Sequence, residues 1–445
     1  MIKKILPSMV IIIALSALSS CKSLGLGASD TDKELVGKRI AVLEAKTALQ
    51  ADSSIASIPI ELPKPELNAS WFRTHGYQPQ ESANLALSGN PHETGYRVVR
   101  NMHGEYPMTA GPVVTDAMLY TLDEKGIVTA FDRVNSKKII WTYAIKMKEK
   151  SEAKEPFSNA GITYDNGAVY VVTGKNTVLA LQASDGKLLW SRSVNSMVRS
   201  APAVGNDMLF VTTMDNHLYA LNIKDGSIVW IHAGLTADVS VLGAASPIFV
   251  RNIVIVSYSS GEIFALNAMN GNELWSDSVS QQNNKTLFTL SDINVSPVIY
   301  KNLVITASQE GVLGAWDIQG GLKIWQQPLA VSDSPWVAGD FAYVLTQDSQ
   351  VLCLHLPTGA IRWVSQLPAY KNEKDKKNPY EWHGPVMAGG SLWIVGAHGQ
   401  LATVSAEDGK IIRQEPVAKN IRVSPVIAQE TMFLLGSHGN LMELK

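Results

Sequence analysis

Two cysteines and nine histidines are the side chains of this 445-residue chain best suited to covalent, metal or acid–base chemistry. Cys21 and Cys353 are too few for a disulfide framework or a four-cysteine zinc site. Cys353 stands where a repeated pattern elsewhere has alanine, which fits a small buried side chain rather than a nucleophile. His398 in Gly396-Ala397-His398-Gly399 and His438 in Gly436-Ser437-His438-Gly439 occupy equivalent turns, and repetition at a turn points to backbone geometry. No ordered Ser/His/Asp set, phosphate loop or paired metal spacing stands out, so no catalytic residue, metal or cofactor is expected. A formal net charge of −2 without a long basic tract argues against nucleic acid as a partner.

Cys21 has a different context. Lys3 and Lys4 precede a short apolar run, Met9 to Leu15, and Leu18-Ser19-Ser20 then supplies small residues immediately before the cysteine. The run is too short to span a bilayer comfortably and ends at a plausible cleavage site, as a secretory signal does. The segment resembles the bacterial lipobox, in which the cysteine thiol is diacylated, the peptide is cut before it, and the new amine is acylated. Three acyl chains hold a protein where one gives only marginal attachment. Lys22 follows where an aspartate would, by that resemblance, signal retention in the inner membrane. The expected destination is the outer membrane, with the chain facing the periplasm.

The tryptophans report the architecture. Trp141, Trp190, Trp230, Trp275, Trp325 and Trp363 each close a stretch like Ala180-Leu181-Gln182-Ala183-Ser184-Asp185-Gly186-Lys187-Leu188-Leu189-Trp190, and Arg413 takes the seventh such position. Each unit opens on a small residue, usually followed by proline, as in Ala201-Pro202, Ser246-Pro247, Ser296-Pro297 and Ser424-Pro425. The opening and closing positions are equally spaced in six units: 162 and 190, 202 and 230, 247 and 275, 297 and 325, 335 and 363, 385 and 413. Connectors between units vary in length, which marks a repeated module with loops on one side.

Within a unit the residues are β-formers. Met208–Thr213 and His217–Leu221 are short runs rich in branched and aromatic side chains, Met214-Asp215-Asn216 is a turn, and Asp225-Gly226 leads into Ser227–Trp230. Four strands per unit read as a propeller blade. The expected fold is all-β: an eight-bladed β-propeller of four-stranded antiparallel blades, with the tryptophans packed between blades. The eighth unit supplies three strands up to Leu444, so an N-terminal strand is expected to close the ring and cover an otherwise exposed edge. Trp71, in Asn68-Ala69-Ser70-Trp71, is the unassigned tryptophan before the first blade and marks the expected closing strand. The domain reading is a signal peptide over 1–20, a flexible tether over 21–66 and the propeller over 67–445.

With the lipobox, eight units and N-terminal closure together, the chain resembles the BamB family, propeller lipoproteins of the outer-membrane β-barrel assembly (BAM) complex. Leu290-Ser291-Asp292-Ile293-Asn294-Val295-Ser296-Pro297 and Ser424-Pro425-Val426 also carry the resemblance. It implies a non-enzymatic scaffold that binds the POTRA domains of BamA and other BAM subunits, with unfolded outer-membrane proteins as possible further clients. By the same resemblance the BamA contacts fall on two connectors, at Val239, Ser240, Val241 and Leu242, and at Asp292 and Asn294. An arginine expected in the first connector is Leu242 here, and one of two expected aspartates in the second is Asn294. The repeat also resembles pyrroloquinoline-quinone (PQQ) enzymes, so a degenerate periplasmic quinoprotein dehydrogenase is the competing reading. A propeller lipoprotein binding some other ligand or envelope protein is the third. The long connectors 276–296 and 364–384 are expected to project from one face, making it the natural binding surface.

Overall fold

The structure, a computed structural model, describes residues 49–445 except 74–83, 89–95, 101–109, 124, 136–137, 147–159, 199, 237–244, 280–294, 309–310 and 437–440. Eight four-stranded antiparallel sheets succeed one another along the chain. Blade 1 runs through Val113–Val114, Met118–Leu122, Ile127–Asp132 and Ile139–Ala144. Blade 2 runs through Ala160–Asp165, Ala168–Thr173, Thr177–Gln182 and Leu188–Ser193; blades 3 to 7 begin with Ala203–Gly205, Ile248–Val250, Val298–Tyr300, Trp336–Ala338 and Trp382–Ala388, and blade 7 ends with Ile411–Pro416. The middle strands lie between neighbouring blades and are apolar on both sides, so Ala168–Thr173 is buried throughout. The outer strands face solvent and bury chiefly their tryptophan, as Leu188–Ser193 does at Trp190. A bulge between the third and outer strands recurs in blades 1 to 7, for instance at Ala180/Leu181 and Ala220/Leu221, and adds local twist there.

The spacing from Asp-Gly to Trp has a direct physical cause. Each closing tryptophan lies on the glycine of the next blade's turn: Trp141 on Gly186, Trp190 on Gly226, Trp230 on Gly271, Trp275 on Gly321, Trp325 on Gly359 and Trp363 on Gly409. These glycines have positive φ, and a Cβ on any of them would fall 2.5–2.7 Å from an indole atom. The indole N–H donates to the carbonyl three residues before the glycine, at 2.6–3.2 Å in all six pairs. A large apolar ring with one polar atom is thereby buried without an unmet donor.

Arg413 finds its explanation here. Blade 8 comprises Val426–Ala428, Thr431–Leu435 and Leu441–Leu444, and its outer strand is Tyr96–Arg100. Because that strand arrives from elsewhere in the chain, blade 8 has no third-to-outer hairpin on which a blade 7 tryptophan could lie. The other side of the closure is consistent: blade 1's turn, Asp132–Lys138, contains no glycine, and Tyr96–Arg100 contains no tryptophan.

The ring is closed by an N-terminal strand, but not the one expected. Tyr96–Arg100 pairs antiparallel with Leu441–Leu444, with Tyr96 opposite Leu444 and Val98 opposite Met442. Trp71 instead exchanges backbone hydrogen bonds with Val114 on the innermost strand of blade 1 and stacks on Trp336 of blade 6, ring centroids 6.4 Å apart. The tryptophan was a misleading marker because the junctions beside blade 8 dispense with the Trp–Gly pair.

Residues 52–73 and 84–88 lie along the turns that join first and second strands, and together form a strap. Asp52 N–H donates to Ile361 O, Glu66 and Leu85 pair with each other, and Leu85 bridges to Ala388 of blade 7. Gln429 N–H donates to Asn68 O in blade 8, and Arg73 bridges to Thr163 of blade 2. Ile55 is buried, and Ile58, Ile60 and Leu62 pack against the core of blades 6 to 8. The Arg73 guanidinium donates to Pro247 O at the entry to blade 4. Trp71 therefore spans from blade 1 to blade 6 and Arg73 from blade 2 to blade 4, so both side chains bridge non-adjacent blades on the inside of the ring.

Candidate interaction face

In an antiparallel four-stranded blade, the outer-to-inner connectors and the turns between second and third strands emerge on the same face. The strap, at the first-to-second turns, lies on the opposite face. The anchor residue Cys21 and the partner residues Val239, Ser240, Val241, Leu242, Asp292 and Asn294 lie outside the described residues. Where the two partner connectors rejoin the propeller, however, the chain is defined. Ser246 N–H donates to Ser296 Oγ at 2.9 Å, so the bases of the connectors entering blades 4 and 5 are bonded side by side.

That bond belongs to a series. Ser200 Oγ donates to Ala245 O at 3.1 Å, and Ser334 Oγ donates to Ser296 O at 3.1 Å. Serine hydroxyls at or next to the blade openings, those of Ser200, Ser296 and Ser334, thus join adjacent blades. Near the axis the blades come closest, so only a small side chain fits, and its hydroxyl satisfies a neighbouring buried backbone group. Ser200, Ser246 and Ser296 are all buried.

At the entries to blades 6, 7 and 8 the link is ionic. His383 Nδ1 lies 3.3 Å from Asp333 Oδ2 and its Nε2 lies 3.4 Å from Glu381 Oε1. Asp333 also accepts from Gly384 N–H at 2.9 Å and from the Ser424 hydroxyl at 3.3 Å, while Arg422 lies 3.5 Å from Glu381. Burial would lower the pKa of His383, but the adjacent carboxylates of Asp333 and Glu381 outweigh burial and raise it to about 9. Burial would raise that of Asp333, and His383, the Gly384 amide and Ser424 outweigh it and hold the carboxyl below its usual value. Chiefly through His383, Glu381 is lowered as well.

A serine, a histidine and an aspartate meet here, yet not in an order that makes a nucleophile. Ser424 bonds the carboxylate rather than the imidazole, both ring nitrogens face carboxylates, and a histidine charged at neutral pH cannot accept a proton. The cluster is an ion-paired clamp between three connectors. Sequence reading missed it because its members come from three blades. The one local signal was Asp333 directly before Ser334-Pro335 and His383 directly before Gly384-Pro385, charged residues flanking the opening pair.

Of the two long connectors, residues 280–294 of the first lie outside the described residues, and the second, into blade 7, carries its own structure. Tyr370–Asn372 and Lys377–Pro379 form a separate two-stranded hairpin. His398 supports it: the imidazole stacks on Tyr380 with centroids 3.7 Å apart and meets Trp382 edge-on at 4.7 Å. Its role among the described residues is aromatic packing, and burial lowers its pKa. His438 lies outside the described residues. Cys353 is fully buried beside Tyr343, and burial raises its thiol pKa, as suits a packing residue. Among the described residues, no three His, Cys, Asp or Glu side chains converge as metal ligands.

Comparison with known proteins follows this geometry. The family described as outer membrane protein assembly factor BamB matches residues 124–365. The BamB of Escherichia coli (strain K12) is 26% identical over 344 residues, covering 77% of this chain and 85% of that protein. The Salmonella typhimurium BamB is 27% identical over 348 residues, covering 77% and 86%. Among solved structures, BamB from Moraxella catarrhalis superposes with a TM-score of 0.63 at 19% identity, covering 78% of this chain and 98% of that one. A europium-containing methanol dehydrogenase shares the propeller at a TM-score of 0.58 and 14% identity, covering 81% and 86%. That likeness is one of fold, whereas the family match spans more than half of the sequence: the chain belongs to the BamB family of outer-membrane protein assembly factors.

Proposed function

We propose that this protein is a non-enzymatic scaffold subunit of the β-barrel assembly machine. Acylated Cys21 holds it to the outer membrane facing the periplasm, and the connectors around 239–242 and 292–294 bind the POTRA domains of BamA. In that position it assists the folding and insertion of outer-membrane proteins. The observation that carries the reading is the Ser246–Ser296 hydrogen bond. It joins the bases of the two connectors and so supports their acting as one patch rather than as independent loops. An apolar centre at Val241 flanked by the Asp292 carboxylate has the composition of a small hot spot.

A quinoprotein reading draws on the shared propeller with methanol dehydrogenase. Against it stand Trp71 and Arg73, side chains of the chain itself that bridge non-adjacent blades on the inside of the ring. The deciding experiment is co-purification from detergent-solubilised outer membrane. BamA is expected with the wild type and lost with Val241→Glu combined with Asp292→Arg, at an unchanged unfolding midpoint. Undiminished recovery by the double variant would move the interface elsewhere, and quinone- and calcium-dependent dye reduction would favour the enzyme.

A further inference from the structure

We infer that the hairpin Tyr370–Pro379 is a preorganised cationic docking element for an acidic protein surface. The inference rests on the scaffold reading above and adds a contact outside the two connectors named there.

Residues 371–379 are all exposed. They include four lysines, Lys371, Lys374, Lys376 and Lys377, and two acids, Glu373 and Asp375. Both acids are turned into the hairpin itself. Glu373 accepts the backbone N–H groups of Ala369 and Tyr370 at 2.8 and 3.0 Å. Asp375 accepts from the Asn372 side-chain amide at 2.9 Å. Among the described residues no carboxylate pairs with any of the four ammonium groups. The four ammonium groups outnumber the two carboxylates, which are engaged within the hairpin, so it presents a net positive surface on a chain whose net charge is negative.

Its root is fixed. The Trp382 indole N–H donates to Pro368 O at 2.9 Å, Tyr380 N–H donates to Ala369 O at 2.8 Å, and the Tyr380 ring lies on His398. Immediately after it come Glu381 and His383, members of the clamp that ties three blade entries together. Holding four like charges together costs free energy in the unbound protein, and an anionic partner removes that cost. Because the backbone is already ordered, little conformational entropy remains to be lost on binding.

A protein surface fits better than a membrane. Residues 371–379 contain no large apolar side chain that could enter the acyl region, which membrane-surface elements combine with basic charge. The strap meets the propeller at Asp52, beside Ile361 at the start of blade 6's outer strand, and the hairpin leaves that strand from its other end. The hairpin thus emerges on the face opposite the one where Asp52 is bonded. It shares its face with the other outer-to-inner connectors.

The test replaces Lys371, Lys374, Lys376 and Lys377 with glutamine in the full chain. Association with the purified periplasmic domains of BamA is then followed from about 50 to about 300 mM salt, a range over which exposed charges become screened. Expected results are a roughly tenfold slower association at low salt, a flatter salt dependence and an unchanged melting midpoint. The matching Lys→Arg set should retain wild-type kinetics. Unchanged association by the glutamine variant overturns the inference. So does normal BamA association combined with loss of binding to vesicles of phosphatidylethanolamine and phosphatidylglycerol, which would make the hairpin a lipid contact. A wild type that binds no BamA domain overturns the scaffold reading and this inference with it. A BamA interaction lost by Val241→Glu/Asp292→Arg but insensitive to the lysines leaves the scaffold reading intact and removes the hairpin alone.

Discussion

The Trp–Gly pair repeated at six blade junctions sets the tolerance of individual residues. Gly226 has φ of +69°, and a Cβ there would lie 2.6 Å from Trp190 Cε3. Gly167 has φ of +83° but open space around its Cβ direction. Both positions resist a side chain on backbone grounds, at about 1–2 kcal/mol each. Only Gly226 adds overpacking, about 1–3 kcal/mol more. Gly226→Ala is therefore expected to unfold at clearly lower urea concentration than Gly167→Ala. Equal midpoints for the two variants would mean that backbone conformation alone selects glycine. The same pair accounts for Arg413, which stands where the following blade has no hairpin turn to receive a tryptophan.

Among elements, the connectors are joined by two chemistries. Neutral serine hydroxyls link blades 3 to 6, and the Asp333–His383–Glu381–Arg422 clamp links blades 6 to 8. The clamp makes stability pH-dependent in a defined sense. The folded pKa of His383, about 9, lies above its ordinary 6.5, so its contribution is complete below pH 6.5 and lost as pH rises through about 9. Asp333 and Glu381 are lowered from 3.8 and 4.5, so their contributions are present above those values and lost as pH falls through the lowered ones. The clamp is strongest where the two windows overlap, between pH 4.5 and 6.5. His383→Gln should cost on the order of 2 kcal/mol near pH 6, less than a fully buried pair because Glu381 is half exposed. Urea unfolding at about pH 6, 8 and 9.5 checks it. A penalty that stays constant across the series would assign His383 a packing role only.

For the whole molecule, the closing strand and the strap do separate work. Tyr96–Arg100 covers the edge of Leu441–Leu444, while residues 52–73 and 84–88 lie across the inner turns and place Trp71 against Trp336. A chain beginning at residue 90 keeps the closing strand and loses the strap. It should fold with a melting midpoint lower by on the order of 10 °C, from the loss of one buried tryptophan and its neighbours. A chain beginning at residue 101 also loses the strand that completes blade 8, leaving the backbone edge of Leu441–Leu444 unpaired, and is expected to aggregate. Calorimetry with size-exclusion chromatography separates the two outcomes. Equal behaviour of both truncated chains would show that Tyr96–Arg100 contributes nothing to closure.

Much of this was written locally in the chain. Even spacing between opening and closing positions, β-branched runs and Asp-Gly turns determine eight repeated blades, because each blade's strands pair with near neighbours in sequence. The projecting connector at 364–384 was legible from its length, and the packing role of Cys353 from its place in the repeat. Tertiary structure decided what depends on distant partners. Tyr96–Arg100 closes the ring, although Trp71 carried the more conspicuous sequence mark, because pairing with Leu441–Leu444 leaves no periodic signature in a single strand. Trp71 and Arg73 can bridge non-adjacent blades only once the ring has assembled around them. Asp333, His383 and Arg422 lie on separate connectors, and only the convergence of inner strands at the propeller axis brings their charges within 4 Å of a partner.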